Sequence, residues 1–267
     1  MEINPAKRAG NVLRMLREDS GKTQADLARE AQSSATMISY LENGEKAATG
    51  DLITRIGRAL GHERALAEIW GFTTTSGFTT TKEILATYEI EAAKIHAWEN
   101  RVVPGLLQTP DYARAVIQAA RPRDARDLID KDADERIDRQ EVLSGGRLLA
   151  AWFILDESVL LRPFGGKEVM HGQLLQLESL AEQPNVTIQV MPFAVVRHPG
   201  LEGPLRVMEF MDSEAIWYTE AWSSGRLADT KDEVMPAMAN FDLIRGSALS
   251  PEQSIEFIAQ VRESHYE

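Results

Sequence analysis

Cysteine is absent from this 267-residue chain. Its absence removes disulfides, thiolate catalysis and cysteine-based zinc sites together. Histidine is scarce: the five residues, at positions 62, 96, 171, 198 and 265, show no metal-ligand spacing, and no HExxH motif occurs. No apolar run approaches the roughly 20 residues of a membrane-spanning helix. The opening MEINPAKRAG lacks the apolar segment of a signal peptide. A phosphate loop is missing too, since GGK at 165–167 has neither the upstream glycine nor the following Ser or Thr. There is no GxSxG nucleophile elbow. The expectation is a cytoplasmic protein that is not an enzyme, with no cofactor and no metal.

What is present is unevenly distributed. The formal net charge is −12, yet residues 1–70 hold ten basic and ten acidic side chains and are neutral. The whole excess of acid therefore lies after residue 70. Such a region repels phosphates, whereas a neutral region can still meet them where its bases cluster. Lys7, Arg8, Arg14, Arg17, Lys22, Arg29 and Lys46 mostly flank one stretch, TQADLAREAQSSATMISYLENG at 23–44.

That stretch reads as two short helices joined by a tight turn. Thr23 is an N-cap type, with Asp26 placed to complete a capping box. Leu27, Ala28 and Ala31 share one helical face. After the turn Gln32-Ser33, Ser34 caps a second helix that buries Ile38 and Leu41 and stops at Asn43-Gly44. Its other face carries Ala35, Thr36, Ser39, Tyr40 and Asn43, short or polar side chains with no core to fill. A helix of that kind suits the DNA major groove. Ala35, Thr36, Ser39 and Tyr40 are expected to face base edges, with Gln24, Ser34, Asn43 and Lys46 towards the backbone.

On TQADLA at 23–28, Ser34, Ile38-Ser39 and LENG at 41–44, the stretch resembles the helix-turn-helix domains of the phage repressor and XRE type. Two positions depart from that pattern. The turn has Gln32-Ser33 where Gly-Val or similar is usual, and positions 35 and 36 are Ala and Thr where Arg, Lys or Gln often stand. The resemblance implies a compact domain of five helices and places the end of the first helix beside the end of the recognition helix. Arg17 and Glu42 are accordingly expected to form a partly buried ion pair there.

The first helix is expected from about Ala6 to Asp19, with Ala9, Val12, Leu13 and Leu16 inward. A fourth starts after Thr49, with Leu52, Ile53, Ile56 and Leu60 as its apolar stripe, and a fifth carries Leu66, Ile69 and Trp70. Residues 71–82, GFTTTSGFTTTK, read as a linker, with Phe72 and Phe78 as possible pins at its ends. The domains are thus expected at 1–70 and 83–267.

Beyond the linker, 83–95 has helical periodicity through Ile84, Tyr88, Ala92 and Ile95. VVPGLLQTPDYARAVI (102–117) gives turns and a helix, and 124–144 a charged helix with a thin apolar line of Leu128, Ile137 and Leu143. LLAAWFIL (148–155) and VTIQVMPF (186–193) read as strands flanking a helix at 167–182. LRVMEFM and AIWYTEAW (205–211 and 215–222) read as a hairpin, and helices at about 229–245 and 251–264 close the chain. The fold class is therefore a mostly α N-terminal domain followed by an α+β domain with a small mixed sheet and packed helices.

Seven segments of this second half, VPGLLQTPDYARA, DRQEVL, LDESVL, GQLLQL, NVTIQVMPF, HPGLEGP and LSPEQSIEFI, resemble the C-terminal domain of actinobacterial antitoxin-like XRE regulators. That resemblance implies a small partner protein encoded nearby. Asp156 and Glu157, at a strand end, and Arg197 and His198, in a loop, are candidates for a ligand or partner site. Taken together, the expectation is a sequence-specific transcriptional regulator. It would bind double-stranded operator DNA (an inverted repeat) as a homodimer, associate with the nucleoid when bound, and be regulated through its second domain. Two other readings remain open at this level: an antitoxin or adaptor that mainly holds a small protein, and a regulator that senses a small molecule.

Overall fold

The computed structural model describes residues 5–46, 48–63, 66, 70, 85, 88–144, 149–211, 213–220 and 225–267. It forms two compact units, Met1–Glu91 and Ala92–Glu267. The expected linker with Phe72 and Phe78, and Ile69 and Ile84, lie outside the described residues. Among the described residues no helix is long and apolar enough to cross a membrane.

The first unit is helical: α1 (Pro5–Asp19), α2 (Gln24–Glu30), α3 (Ala35–Glu42) and α4 (Gly50–Leu60). Glu63, Leu66 and Trp70 also have helical backbone. Side-chain caps start three of these helices. Thr23 and Asp26 form a reciprocal capping box on α2, Ser34 accepts from the Met37 amide, and Thr49 accepts from that of Leu52. Each such cap contributes about 1 kcal/mol by satisfying an amide that the helix itself cannot. The apolar faces meet in one core of Val12, Leu13, Leu27, Ile38, Leu41, Ile53, Ile56, Leu66 and Trp70. Full burial of each aliphatic side chain is worth about 1.5–3 kcal/mol. That core holds α3 by one side only.

Gly44 ends α3 at φ +68°, and a Cβ there would lie 2.5 Å from the Lys7 Cα. Both backbone conformation and close approach therefore require glycine. The turn between α2 and α3 is different, because Gln32 takes the left-handed conformation at φ +52° without being glycine. A side chain in that region costs roughly 1–2 kcal/mol. Gln32→Gly is therefore expected to stabilise the first unit by about 0.5–1 kcal/mol, the gain being partly offset by glycine's greater freedom when unfolded. A thermal melt checks this, and a lower Tm for the variant would contradict it.

The second unit is built on one six-stranded mixed sheet, ordered β3-β2-β1-β4-β5-β6. The strands are β1 (Lys94–Glu99), β2 (Ala150–Asp156), β3 (Val186–Met191), β4 (Leu205–Glu209), β5 (Ile216–Glu220) and β6 (Gly225–Ala228). β1, β2 and β3 run parallel, while β4, β5 and β6 join antiparallel. The helices are α5 (Pro110–Ala120), α6 (Arg126–Asp138), α7 (Glu141–Ser144), α8 (Glu157–Leu161), α9 (Lys167–Ala181), α10 (Lys231–Ser247) and α11 (Pro251–Tyr266). Phe241 and Ile244 of α10 pack on Trp98, Ile154 and Met191 of the sheet. The architecture is α+β.

Two local readings are corrected. The helical periodicity expected over 83–95 ends with helical backbone at Glu91, and Ile95 belongs to the central strand β1. Its phase with Tyr88 and Ala92 is coincidental; pairing with β2 and β4 on either side decides the conformation. The single helix expected over 124–144 is two, α6 and α7. Leu128 is 51% exposed, and the buried line of α6 is Ile129 and Ala133, with Ile137 packed against them.

Candidate nucleic-acid interface

The interface is built around a buried carboxylate. Glu42, the last residue of α3, is 0% exposed. Its Oε1 accepts from Arg17 Nε at 2.6 Å, and its Oε2 from Arg17 Nη2 at 3.2 Å. Oε2 also accepts from Gln24 Nε2 at 2.8 Å and lies 3.4 Å from Arg14 Nε. Arg17 further donates to the Lys22 carbonyl at 2.9 Å, anchoring the loop before α2. One carboxylate thus joins α1, α2 and α3. A fork-on-fork guanidinium pair fixes direction as well as distance. The Glu42 hydrogen bond raises the Arg17 guanidinium above its ordinary value, which keeps the pair charged.

With its inner side locked, α3 turns the other side outward. Ala35 and Thr36 are exposed in its first turn, and Ser39 and Tyr40 are half-buried one turn on. Ser34 is exposed and occupied as the N-cap, its Oγ accepting from the Met37 amide at 3.1 Å. Asn43 is held by Arg14, whose Nη2 donates to Asn43 Oδ1 at 2.7 Å. The Lys46 ammonium lies 4.4 Å from the centre of the Tyr40 ring, a cation–π arrangement that places the charge beside α3. Gln24, expected towards a nucleic-acid backbone, spends its amide on Glu42.

Arg14 is the residue that sequence reasoning assigned only to the flanking positive charge. The available signal was its spacing from Arg17, three residues away on one face of α1. Lys22, counted among the same flanking bases, donates to Glu30 and to the Ala59 carbonyl. Asp26 is fully engaged: the Thr23 hydroxyl and amide hold its carboxyl below the usual carboxylate range.

In the second unit the four candidate residues make separate local contacts. Asp156 caps α8, accepting from the Ser158 amide at 3.0 Å, and Glu157 accepts from the Phe193 amide at 2.7 Å. Arg197 is exposed. His198 stands edge-on to Trp98 at 5.4 Å, with its buried Nδ1 making no hydrogen bond. Among the described residues no cluster of His, Asp or Glu is arranged to hold a metal ion.

Two family models match the chain. A helix-turn-helix domain covers residues 8–69, and a domain of unknown function, DUF5753, covers residues 83–260. No curated protein and no solved structure matches it. The helix-turn-helix match contains the whole Glu42 network and the exposed face of α3.

Proposed function

This chain belongs to the DUF5753 family and carries a helix-turn-helix domain, and we propose that it is a sequence-specific transcriptional regulator acting as a homodimer. Residues 1–70 bind operator DNA, 71–82 link, and 83–267 carry the dimer contact and an antitoxin-like contact with a small partner protein. The reading rests on one observation above all. α3 is locked by Glu42 on its inner side and presents Ala35 and Thr36 to solvent on the other. A short helix fixed in this way is the shape that enters a major groove.

Ala35 and the Thr36 methyl match thymine methyl groups, and Tyr40 offers one hydrogen bond. No arginine stands on the exposed face to read guanine bidentately, so one domain discriminates only moderately. Two tethered domains raise effective concentration without new contacts, which supports the dimer. Support for a protein partner comes from the acidity of the region after residue 70 and from the antitoxin-like resemblance of its seven segments.

The roles separate by experiment. Thr36→Ala is expected to relax base preference at one position of each half-site, by about 1–3 kcal/mol. Lys46→Ala is expected to weaken all sequences alike and reduce the salt slope by about 1. Binding titrations on operator variants at several salt concentrations read both. A change of base preference with Lys46→Ala, alongside none with Thr36→Ala, would contradict the assignment.

A further inference from the structure

One side of α10 is apolar and open to solvent. Met235 is 70% exposed and Leu243 60%. Ala239 and Gly246, also exposed, complete a stripe with them at helical spacing. The opposite side is buried through Val234, Ala237, Phe241 and Ile244, so the stripe is the part of α10 that the sheet does not use. We propose that two copies of the chain meet here, α10 pairing antiparallel with the α10 of a second copy across a two-fold axis at Ala239. This contact rests on the homodimer reading above and gives it a location.

The stripe is its own complement. Met235 and Leu243 each stand four residues from Ala239, one turn before it and one turn after. A two-fold axis at Ala239 therefore sets Met235 of each copy against Leu243 of the other, and Ala239 against Ala239. That reciprocity is what an interface between identical surfaces requires. A methyl group at the crossing lets the helix axes approach to about 8 Å, the close end of the range for packed helices. Asp232, on the same side of α10, comes opposite Gly246, where no side chain crowds it.

Charge favours a second copy as the occupant. The region after residue 70 is acidic, and two such regions repel wherever unpaired carboxylates face each other. On α10 most charges are already matched: Glu233 pairs with Arg226, Asp242 with Arg245, and Lys231 lies 3.8 Å from Glu214. Lys231 and Asp242, with side chains 76% and 52% exposed, fall on one edge of the stripe near its two ends. Antiparallel pairing brings that edge of one copy beside the same edge of the other. Lys231 of each copy then points towards Asp242 of its counterpart, so the face is complementary to itself in charge as well as in shape. Leu201, 74% exposed, stands on the loop that adjoins α10 and extends the apolar surface. Closing this surface on a second copy hides on the order of 1,000 Å² in total, the size at which specific interfaces begin.

The absence of cysteine gives a clean test, because Ala239→Cys introduces the only thiol of the chain. The full-length variant is expected to form a disulfide-linked dimer on mild oxidation, since a disulfide needs Cα atoms about 4.4–6.8 Å apart and a residue on the axis meets its own copy. Leu128→Cys, at an exposed site on α6 outside the stripe, is expected to link far more slowly. In sedimentation, Met235→Glu and Leu243→Lys are each expected to raise the dimer Kd at least about tenfold. The double variant Met235→Glu/Leu243→Lys is expected to recover part of that loss, because each new carboxylate then faces a new ammonium of the other copy. Damage to the fold would not be relieved by a second substitution, and far-UV circular dichroism is expected to be unchanged throughout. A parent chain that sediments as a monomer at every concentration would overturn this contact and the homodimer reading together. A parent dimer that neither single variant weakens, or Ala239→Cys linking no faster than Leu128→Cys, would overturn this contact alone and leave the stripe to a different occupant.

Discussion

Glu42→Ala is expected to destabilise the first unit by about 3 kcal/mol, because it leaves the Arg17 guanidinium largely buried with only the exposed Glu18 carboxylate, 3.1 Å from its Nη2, as counter-charge. Arg17 keeps only 10% of its side chain exposed, and Glu42 keeps none. The loss also removes the acceptor for Gln24 and Arg14, so α1, α2 and α3 lose their shared tie together. Whole domains are stable by only about 5–15 kcal/mol, so the variant unit would be partly unfolded near body temperature. Glu42→Gln, which retains a carbonyl acceptor but no charge, should fall between the two. Urea unfolding followed by circular dichroism reads the series. An Ala variant within about 1 kcal/mol of the parent, the value of an exposed pair, would show that the network is incidental.

Gly10→Ala is expected to be the other severe change. A Cβ at that position would lie 2.3 Å from the Leu41 carbonyl oxygen and 2.5 Å from that of Glu42. Both neighbours are backbone at the end of α3, so neither can rotate out of the way, and α1 and α3 must separate. Overpacking of this kind costs about 1–3 kcal/mol, and rigid backbone on the far side puts the value near the top of that range. The corresponding fall in the unit's Tm is roughly 10–20 °C. Because α3, proposed to read DNA, itself moves, DNA affinity should fall in the fraction that remains folded. A melt and a binding curve at low temperature separate the two effects. An unchanged Tm would mean that α1 and α3 can move apart at their crossing without loss of stability.

What was legible in the sequence was local chemistry with a local cause. Thr23, Ser34 and Thr49 announce helix starts because their side chains bond the amides three residues on. AIWYTE marks β5 by its alternation, because one face of that strand is buried; in β4 the successive residues Arg206, Val207 and Met208 are all buried, so both of its faces are covered. β1 was not legible. Its six residues continue an apolar phase begun on a helix, and only the strands on either side make it a strand. β6, four residues of GRLA, carries no alternation to read. In the candidate interface, the exposed face of α3 followed from periodicity. The engagement of Gln24 with Glu42 and of Lys46 with Tyr40 did not, since both depend on how chain ends meet in space. Gln32 shows the same limit: a left-handed turn normally signals itself by glycine, and here it does not.

The account turns on α3 reading DNA as one of a pair. The most direct measurement is to recover and sequence the DNA bound by the full protein in cells, then examine the symmetry of the shared motif. The prediction is an inverted repeat whose half-sites are centred about 10 bp, or a multiple of that, apart, lost from the recovered DNA with Gly10→Ala. Recovery of no common sequence would contradict sequence-specific binding by α3, and a single asymmetric half-site would contradict the dimer.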